Sequence, residues 1–338
     1  MADTSLKFPH KIEALDPETN AEISRNFSGG LNHLVQVGPQ KMLIPSEFCN
    51  ECDNYYNFKF RKGDVIVMGY PRSGTTMTQE MVWLMLNNFD LRKALDTSLI
   101  VRVPLLESRS LTTKETIAAV SATNQGAEKL KLYRSSMDFL RANPGRRVIK
   151  THLHFNFLPP DLLNCGCKII YVARNPKDVV VSLYHLQRTS QGRQYTGDIS
   201  TFLNYFTSDL TLFAPYWTHL SQGWERRHSP NVHFIFYEDF IQNRRHHITS
   251  IANFINQKLT TEQVELLEDT LEFSHFKKYM SRGVDRDMNT KQDVNDDFIR
   301  KGEIGGWKEY FTEEMNQKMD KWVKENVART GIEFPLEF

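Results

Sequence analysis

Short apolar runs alternate with helical patterns along most of this 338-residue chain. Residues 64–70 (DVIVMGY) form a β-branched apolar run that predicts a buried strand, and residues 77–89 repeat apolar side chains at helical spacing. Further strands are predicted at residues 146–150, 168–173 and 232–237, and further helices at residues 178–186, 244–256 and 261–271. The alternation predicts a single-domain α/β fold, with helices flanking both faces of a central parallel sheet.

Two segments depart from that alternation. Residues 108–143 are polar and helical in pattern and carry no strand signal, which predicts a helical excursion between two strands. Residues 280–298 are charged and weakly patterned, which predicts a long surface loop. Loops of that length are usually either functional or mobile, so this one is a candidate for part of a site.

Composition narrows the classes of function. Lys and Arg number 42 and Asp and Glu number 41, so the net charge is +1 and no large excess of positive charge is available to neutralise nucleic-acid phosphates. No stretch approaches the roughly 18 apolar residues of a membrane span, and the first residues lack the pattern of a secretory signal. We therefore expect a cytoplasmic protein that binds neither nucleic acid nor membrane.

Four cysteines form two close pairs, Cys49/Cys52 and Cys165/Cys167. A CxxC followed by a CxC could supply four sulfur ligands to zinc, but the pairs are far apart and neither flank resembles a zinc knuckle. The stretch SEFCNECDN is polar and loop-like, whereas a CxxC redox motif normally opens a helix. Reduced thiols without metal are the favoured interpretation, and zinc is the minor alternative.

Polar groups follow the predicted strands, and ligands of parallel sheets bind at the carboxyl ends of strands. The first group is the turn YPRSGTT after residue 69. Its backbone N–H groups, its hydroxyls and the following helix dipole would form a cradle for an anion. It is not a Walker A loop, because GK[ST] is missing, and it is long enough for one phosphate. The structural alternative is an ordinary β–α turn with capping Ser and Thr.

Three more groups follow later strands. Lys150 and His152 alternate after one strand, and a histidine suits proton abstraction from an alcohol or phenol. Arg174 follows another strand and can fork onto a phosphate, with Ser182 two helical turns further on. Residues 300–308 (RKGEIGGWK) combine cations with glycines that allow close approach to an anion. Each group alone has a structural alternative: a surface histidine, a salt-bridged arginine and a solvated basic loop.

Taken together and in this order, the groups resemble the cytosolic sulfotransferase family, which transfers a sulfuryl group from 3′-phosphoadenosine 5′-phosphosulfate (PAPS) to a hydroxyl or amine. The matching strings extend from about residue 70 to residue 308 and are YPRSGTTM, VIKTHLHFNFLP, YVARNPKDVVVSLYH, FIFYEDF and FIRKGEIGGWK. The resemblance implies one sulfotransferase domain over residues 1–338. Within it, residues 1–60 would serve the acceptor site, residues 108–143 would form an insertion able to act as a lid, and residues 280–308 would close over the nucleotide.

The resemblance also implies catalytic roles. His152 would take the proton of the acceptor hydroxyl, and Lys150 would neutralise charge on the transferring sulfuryl group. Arg72 stands where the family usually has a catalytic lysine, and would stabilise the bridging oxygen electrostatically. Lys150 and His152 would also contact the acceptor, together with Leu105 and Ser108, which replace the aromatic gate residues of phenol-specific members. No metal is implied.

The implied nucleotide contacts fall into a phosphosulfate loop, a 3′-phosphate site and an adenine site. They are Arg72, Ser73, Gly74, Thr75, Thr76, Met77, Arg174, Ser182, Tyr237, Ser274, Phe276, Phe298, Ile299, Arg300, Lys301 and Gly302. Met77 replaces a tryptophan that many members stack on adenine, so the adenine packing is expected to differ.

The implied acceptor is a small lipophilic alcohol or phenol of xenobiotic, steroid or retinoid type. An insect member of the family dehydrates retinol with the same donor and also has a longer segment at residues 108–143. A dehydratase that acts through a sulfated allylic alcohol is therefore an alternative, as is a surface insertion without a catalytic role. Homodimerisation is a weaker expectation, since Lys308 and Thr312 fit the family's dimer motif while Glu313 and Gln317 depart from it.

Two alternatives lie outside sulfuryl transfer. A small-molecule kinase needs a carboxylate for Mg²⁺ after a strand, which Glu238 and Asp239 would provide, and also GK[ST], which is absent. A non-catalytic nucleotide or lipophile binder is kept open by the arginine at position 72, although the presence of His152 and the basic groups argues against it.

Overall fold

A four-stranded parallel sheet lies at the centre of the computed structural model, which describes residues 5–28, 31, 33–121, 126–190, 193–282 and 302–335. A second sheet of three antiparallel strands precedes it in the chain. The strands are β1 Ile12–Ala14, β2 Leu34–Val37, β3 Met42–Pro45, β4 Val65–Met68, β5 Val148–Thr151, β6 Lys168–Ala173 and β7 Val232–Phe236. The order in the parallel sheet is β5-β4-β6-β7, so β4 and β6 are the central strands.

Sixteen α-helices are described, in addition to short 3₁₀ turns. They are α1 Pro17–Asn26, α2 Cys52–Tyr56, α3 Thr75–Leu86, α4 Leu91–Asp96, α5 Leu99–Arg102, α6 Lys114–Ser121, α7 Gly126–Arg134, α8 Ser136–Ala142, α9 Pro176–Thr189, α10 Ile199–Thr207, α11 Tyr216–Glu225, α12 Tyr237–Gln242, α13 Arg244–Phe254, α14 Thr261–Thr270, α15 Phe273–Arg282 and α16 Glu313–Thr330. The predicted α/β class is confirmed: the four predicted strands are β4 to β7, and the predicted helices are α3, α9, α13 and α14.

The central strands are buried on both faces, as expected for a parallel sheet covered by helices. Val65 and Val67 of β4 pack into one apolar cluster, and the alternate residues Ile66 and Met68 pack into another. All four side chains are fully buried. Because neither face meets water, the carboxyl edge of this sheet is where polar side chains from several strands gather.

The antiparallel sheet was not anticipated from the sequence. Its strands have only three or four residues each, too few to show a strong alternation of apolar and polar positions. In its register Val35 lies opposite Ile44, and both side chains belong to the same apolar cluster as one face of the parallel sheet. This sheet therefore extends the core over the N-terminal part of the chain.

The expectation of a polar loop around the first cysteine pair is wrong. Residues Ser46–Asn50 form a 3₁₀ helix and Cys52 is the first residue of α2. The physical reason is that Phe48, Cys52 and Tyr55 recur at near-helical spacing and are buried together. All four cysteines are free, and the thiols of Cys165 and Cys167 both contact the carbonyl oxygen of Leu162. Among the described residues no group of three or more His, Cys, Asp or Glu is placed to hold a metal ion.

Most of the described residues between positions 108 and 143 are helical, as the pattern predicted. They comprise the 3₁₀ turn Ser108–Leu111 and helices α6, α7 and α8. Arg109 holds this insertion to its surroundings: its guanidinium donates to the carbonyl oxygen of Arg134 at 2.6 Å and to Asp138 at 2.8 Å, and lies 3.6 Å from Glu51. The ends of the insertion are thereby tied to each other and to the residues before α2.

The loop predicted at residues 280–298 begins inside α15, which extends to Arg282, and the rest of it lies outside the described residues. In the described ranges no helix combines the length and the hydropathy that crossing a bilayer would require. The cytoplasmic location stays a prediction, as does the dimer. Thr312 of the proposed dimer motif caps α16 by accepting from the backbone N–H of Met315 at 3.2 Å.

Candidate active site

The turn between β4 and α3 has the backbone of an anion cradle. Gly74 adopts a left-handed conformation with φ of 100°, and a Cβ atom there would lie 2.5 Å from the ring of Tyr237, so only glycine fits. Arg72 is also left-handed, with φ of 73°, which is uncommon for a residue with a side chain. The first N–H groups of α3 have no partner inside the helix and carry its positive dipole end. The turn can therefore bind an anionic group at the start of α3.

Two buried donors beside this turn are unpaired within the described part of the chain. They are the hydroxyl of Ser73 and the Nε–H of Arg174. Both residues are almost completely buried, and leaving a buried donor unpaired costs about 1–3 kcal/mol. Donors of this kind next to a helix N-terminus fit a phosphate-bearing ligand, which would accept from both.

His152 follows β5 and is held in one tautomer. Its Nδ1 lies 2.6 Å from the carbonyl oxygen of Gly69, and because a carbonyl only accepts, Nδ1 carries the hydrogen. The unprotonated nitrogen is then Nε2. Burial, followed by the charge of Lys150, lowers the pKa of His152 well below its usual range, while the hydrogen bond to Gly69 opposes that shift. The imidazole is therefore neutral at pH 7.

Lys150, the third residue of β5, lies two positions earlier on the same strand end. Burial lowers the pKa of its ammonium group to about 8; the negative charge of Glu107 opposes that shift and the charge of Arg72 adds to it. The charges of Lys150, Glu107 and Arg72 thus influence one another beside His152. A lysine with a pKa near 8 is still mostly charged at neutral pH and loses that charge in mildly alkaline solution.

Arg174 lies at the end of β6 and contacts both the cradle and the segment 300–308, called here the glycine loop, of which residues 302–308 are described. It donates to the carbonyl oxygens of Arg72 at 3.3 Å and of Glu303 at 3.0 Å, and its guanidinium carbon lies 4.4 Å from the centre of the Tyr237 ring. On α9, Ser182 accepts a hydrogen bond from Nε of Arg72 at 2.9 Å. The cations predicted from two separate motifs are therefore neighbours.

The described part of the glycine loop is anchored by an aspartate. Asp178 of α9 accepts from the backbone N–H of Gly305 at 2.8 Å and of Trp307 at 3.2 Å. Tyr237 donates its hydroxyl to the carbonyl oxygen of Gly302 at 2.8 Å. Gly302 has φ of 64°, and a Cβ atom there would overlap the ring of Phe273. These contacts place residues 302–307 against the same cleft.

One cleft, with an empty volume of about 840 Å³ that includes open solvent, collects most of the predicted residues. Its lining residues are Pro71, Arg72, Gly74, Thr75, Thr76, Met77, Lys150, His152, Arg174, Ser182, Leu186, Tyr237, Phe273, Phe276 and Gly302. Pro71, Leu186 and Phe273 were not predicted. Phe273 shares a helix face with Phe276 three residues later, and that helical spacing was the available signal.

Some predicted residues lie elsewhere. Ser274 is exposed and donates its hydroxyl to Glu272 at 2.5 Å rather than lining the cleft. Leu105 and Ser108 do not line the described cleft either, although Leu105 pairs with Lys150 in a parallel bridge. Ser73 belongs to the turn that forms the cradle but is almost completely buried and is not among the lining residues of the cleft. Phe298, Ile299, Arg300 and Lys301 lie outside the described residues.

A family model and the curated relatives of this chain point to the same family. A sulfotransferase domain model matches residues 62–331. The chain is 32% identical to luciferin sulfotransferase of Photinus pyralis, over 97% of this chain and 90% of that protein, and 30% identical to sulfotransferase 1E1 of Homo sapiens, over 88% and 94%.

Solved structures agree with this result. A crystal structure of retinol dehydratase with androsterone and the inactive cofactor PAP superimposes with a TM-score of 0.87 at 31% identity, over 98% of this chain and 99% of that one. A complex of retinol dehydratase with retinol and PAP gives the same TM-score at 30% identity, over 98% and 100%. With a family model over most of its length and the predicted cations and histidine gathered in one cleft, this chain belongs to the sulfotransferase family and is a sulfuryl-transferring enzyme.

Proposed function

We propose that this enzyme transfers the sulfuryl group of PAPS to the hydroxyl of a small lipophilic alcohol or phenol, with His152 as the general base. The observation that carries the proposal is the 2.6 Å contact between Nδ1 of His152 and Gly69. It leaves Nε2 as the proton acceptor of a neutral imidazole that lines the same cleft as Lys150 and Arg72. When bound, the nucleotide would supply the sulfuryl group.

The residues present fit that nucleotide. The unpaired hydroxyl of Ser73 and the first N–H groups of α3 would hold its 5′ end. Arg174, with its unpaired Nε–H, and Ser182 would hold the 3′-phosphate. Met77, Phe273 and Phe276 line the cleft with apolar surface suited to adenine. Residues 298–301 are assigned to the nucleotide on their resemblance to the family alone.

The side chains have separate tasks in the proposed reaction. His152 takes the acceptor proton on Nε2, which raises the nucleophilicity of the oxygen in line with the sulfur. Lys150 and Arg72 offset the negative charge that develops around the transferring group. The two cations have different chemistry: lysine can lose its proton near pH 8, whereas arginine remains charged throughout.

The proposed acceptor class draws on two observations. The retinol dehydratase structures hold androsterone or retinol, which are lipophilic alcohols. In this chain the segment that leads into the helical insertion lies at the strand end that carries Lys150, where Leu105 pairs with Lys150 and Glu107 accepts from the backbone N–H of His152. We infer that the insertion encloses an acceptor larger than a simple phenol.

Dehydration of an allylic alcohol is the second candidate. It is favoured by the similarity to retinol dehydratase over nearly the whole chain and by the helical insertion. In that reaction the sulfate ester would form first. Its carbon–oxygen bond would then break, sulfate would depart with the bonding electrons, and loss of a carbon-bound proton would complete the alkene. The kinase alternative is disfavoured, because Glu238 does not line the cleft and accepts from the backbone N–H of Asn175 at 2.8 Å.

Calorimetric titration with PAP, with AMP and with ATP plus Mg²⁺ tests the nucleotide assignment. We expect PAP to bind and AMP, which lacks the 3′-phosphate, to bind at least 10-fold more weakly, since a charge-assisted contact contributes about 1.5–3 kcal/mol. Equal affinity for PAP and AMP, or preference for ATP, would overturn the assignment. Labelled PAPS with phenols, steroid alcohols and retinol then identifies the acceptor, and mass spectrometry separates a sulfate ester from a dehydrated product.

A further inference from the structure

A fully buried carboxylate lies behind the strand end that carries Lys150 and His152. Glu107 accepts from the backbone N–H of His152 at 2.6 Å and from the hydroxyl of Thr151 at 2.8 Å. The same hydroxyl accepts from the backbone N–H of Leu153 at 3.1 Å. Glu107 thus holds Thr151 and His152 directly, and Leu153 through the hydroxyl of Thr151, at the point where β5 ends.

The residues just before Glu107 hold Lys150 in the same way. The backbone N–H of Leu106 donates to the carbonyl oxygen of Lys150 at 2.9 Å, and the N–H of Lys150 donates to the carbonyl oxygen of Pro104 at 3.0 Å. The carbonyl oxygen of His152 accepts from Nε2 of His219 at 3.1 Å. Hydrogen bonds therefore hold the backbone of Lys150 and His152 on both sides of Thr151, and both residues line the cleft.

The charge of Glu107 is unusual for such a place. A buried carboxylate is expensive unless it is paired, and here both of its oxygens accept a hydrogen bond, one from His152 and one from Thr151. A glutamine would avoid the charge but would place an NH₂ donor where one of these oxygens accepts. Burial raises the pKa of Glu107 to about 7; its hydrogen bonds to His152 and Thr151 and the charge of Lys150 oppose that shift. Conversely, the carboxylate opposes the fall in the pKa of Lys150.

The other charged or titratable groups around Glu107 have partners of their own. Tyr55 of α2 bonds Ser110 at 2.9 Å, and Glu51 just before α2 pairs with Arg109. His152 is joined to Glu107 through its backbone and has its own titration, at low pH. Lys150 is thus the ammonium group whose protonation responds to the charge of Glu107.

We propose that Glu107 is a positioning residue of the transfer reaction, which holds the peptide of His152 in place and supplies the negative charge that keeps Lys150 protonated. The inference rests on the proposed function, because it takes Lys150 and His152 as the catalytic pair. It also assigns a role to the acid that lies between Leu105 and Ser108, the two residues that the resemblance connected with the acceptor.

Glu107→Gln tests the charge while it keeps the shape. Its amide oxygen still accepts from the backbone N–H of His152, so PAP affinity should stay within about 2-fold. Because the charge is lost and the amide NH₂ cannot accept from the hydroxyl of Thr151, kcat should fall about 10-fold. Without the negative neighbour Lys150 loses its proton more easily, and the alkaline fall in kcat, near pH 8 in the wild type, should move about one pH unit lower. Below about pH 7 Lys150 is charged in any case, but Glu107 takes up a proton and one of its two accepting oxygens becomes a hydroxyl donor, which disturbs the position of Thr151 and His152. The wild-type kcat should therefore also fall below that pH, and this acidic step should vanish in the glutamine variant.

Glu107→Asp is the matched control, because it keeps the charge and shortens the side chain. Its kcat should fall, while the alkaline step stays near the wild-type pH. NMR titration of ¹³C-labelled lysines, with Lys150→Arg to assign the resonance, reports the protonation of Lys150 without any turnover. An absence of sulfuryl transfer by the wild type would therefore defeat the proposed function and still leave the coupling between Glu107 and Lys150 measurable.

Two results would overturn the proposal. One is a wild-type kcat in Glu107→Gln; the other is an unchanged titration of Lys150 in that variant. Should neither Glu107 variant bind PAP, Thr151→Val removes one of the donors to the carboxylate in a side chain of equal size. We then expect kcat to fall about 5-fold at unchanged PAP affinity, since a hydrogen bond to a charged group is lost. Wild-type kcat in Thr151→Val would contradict a positioning role.

Discussion

The nucleotide side and the acceptor side of the cleft are built in different ways. On the nucleotide side, cations and backbone donors come from three short segments at strand ends, and they contact one another directly, as Arg72 contacts Ser182 and Arg174 contacts the glycine loop. On the acceptor side, the segment before the helical insertion contacts the end of β5, where Leu105 pairs with Lys150 and Glu107 accepts from the backbone N–H of His152, and the 3₁₀ turn and helices of the insertion follow in the chain. Recognition of an anion needs a few residue types in fixed places, whereas an apolar pocket can be formed by many combinations.

Because the two sides are built differently, a substitution should affect binding and turnover differently on each side. Loss of a cation on the nucleotide side removes charge-assisted hydrogen bonds that water replaces poorly in a buried cleft. Loss of one contact on the acceptor side removes a small part of an extended packing surface. Substitutions at the junction, on the nucleotide side and on the acceptor side should therefore have effects of decreasing size and distinct kinetic signatures.

The largest effect should come from His152→Ala, at the junction of the two sides. Removal of the general base should lower kcat by about 10²–10⁴-fold, while PAP binds within about 3-fold of the wild type, because the nucleotide contacts lie on other elements. Labelled PAPS turnover and calorimetry measure the two quantities. His228→Ala is the matched control, since His228 is exposed and lies away from the cleft. Retention of more than a tenth of the wild-type kcat would rule out His152 as the base.

Arg174→Ala should act on the nucleotide side alone. We expect PAP affinity to fall about 10- to 100-fold, because the guanidinium would form charge-assisted hydrogen bonds with the 3′-phosphate. Affinity for AMP, which lacks that phosphate, should change little, so the ratio of the two affinities falls. Arg174→Lys keeps the positive charge but lacks the two parallel donors of a guanidinium, so its PAP affinity should lie between that of the wild type and that of Arg174→Ala.

Arg245→Ala, which removes an arginine half exposed on α13 and paired with Glu268, is the control for this experiment. A parallel loss of PAP and AMP affinity in Arg174→Ala would assign the arginine to the structure of the cradle, since it also donates to the carbonyl oxygen of Arg72. The ratio of affinities is thus the measurement that separates recognition of the 3′-phosphate from support of the loop.

The same contrast explains which features the sequence could predict. Strands β4 to β7 are apolar runs followed by Gly69, His152, Arg174 and Tyr237, so both the strands and the chemistry at their ends were visible locally. The strands of the antiparallel sheet are too short to give a pattern, and their pairing joins residues through tertiary packing. The helical turn at Cys52 was missed because its buried positions, Phe48 and Tyr55, lie within a polar string.

Side-chain roles show the same limit. Glu107 had no local signal, because its partners are the hydroxyl and the N–H of residues more than forty positions later in the chain. Ser274 was assigned to adenine by resemblance, whereas the phase of α15 directs Phe273 and Phe276 to the cleft and leaves Ser274 in water. Local motifs predict residue chemistry well, but the phase of a helix and contacts between distant segments are settled only by the packed structure.

The smallest effect is expected on the acceptor side, from Arg109, which ties the start of the helical insertion to Asp138 near its end and to Glu51 outside it. Arg109 is partly exposed, and ion pairs of that kind contribute up to about 1 kcal/mol, so Arg109→Ala should raise the acceptor KM by no more than about 5-fold. If the insertion encloses the acceptor, the increase should appear with steroid alcohols or retinol and be absent with a small phenol, at unchanged PAP affinity. Arg92→Ala, which removes an exposed arginine paired with Asp96, is the control. An equal change in KM for large and small acceptors would show that the insertion does not select by size, and would remove the structural support for a retinoid-sized acceptor.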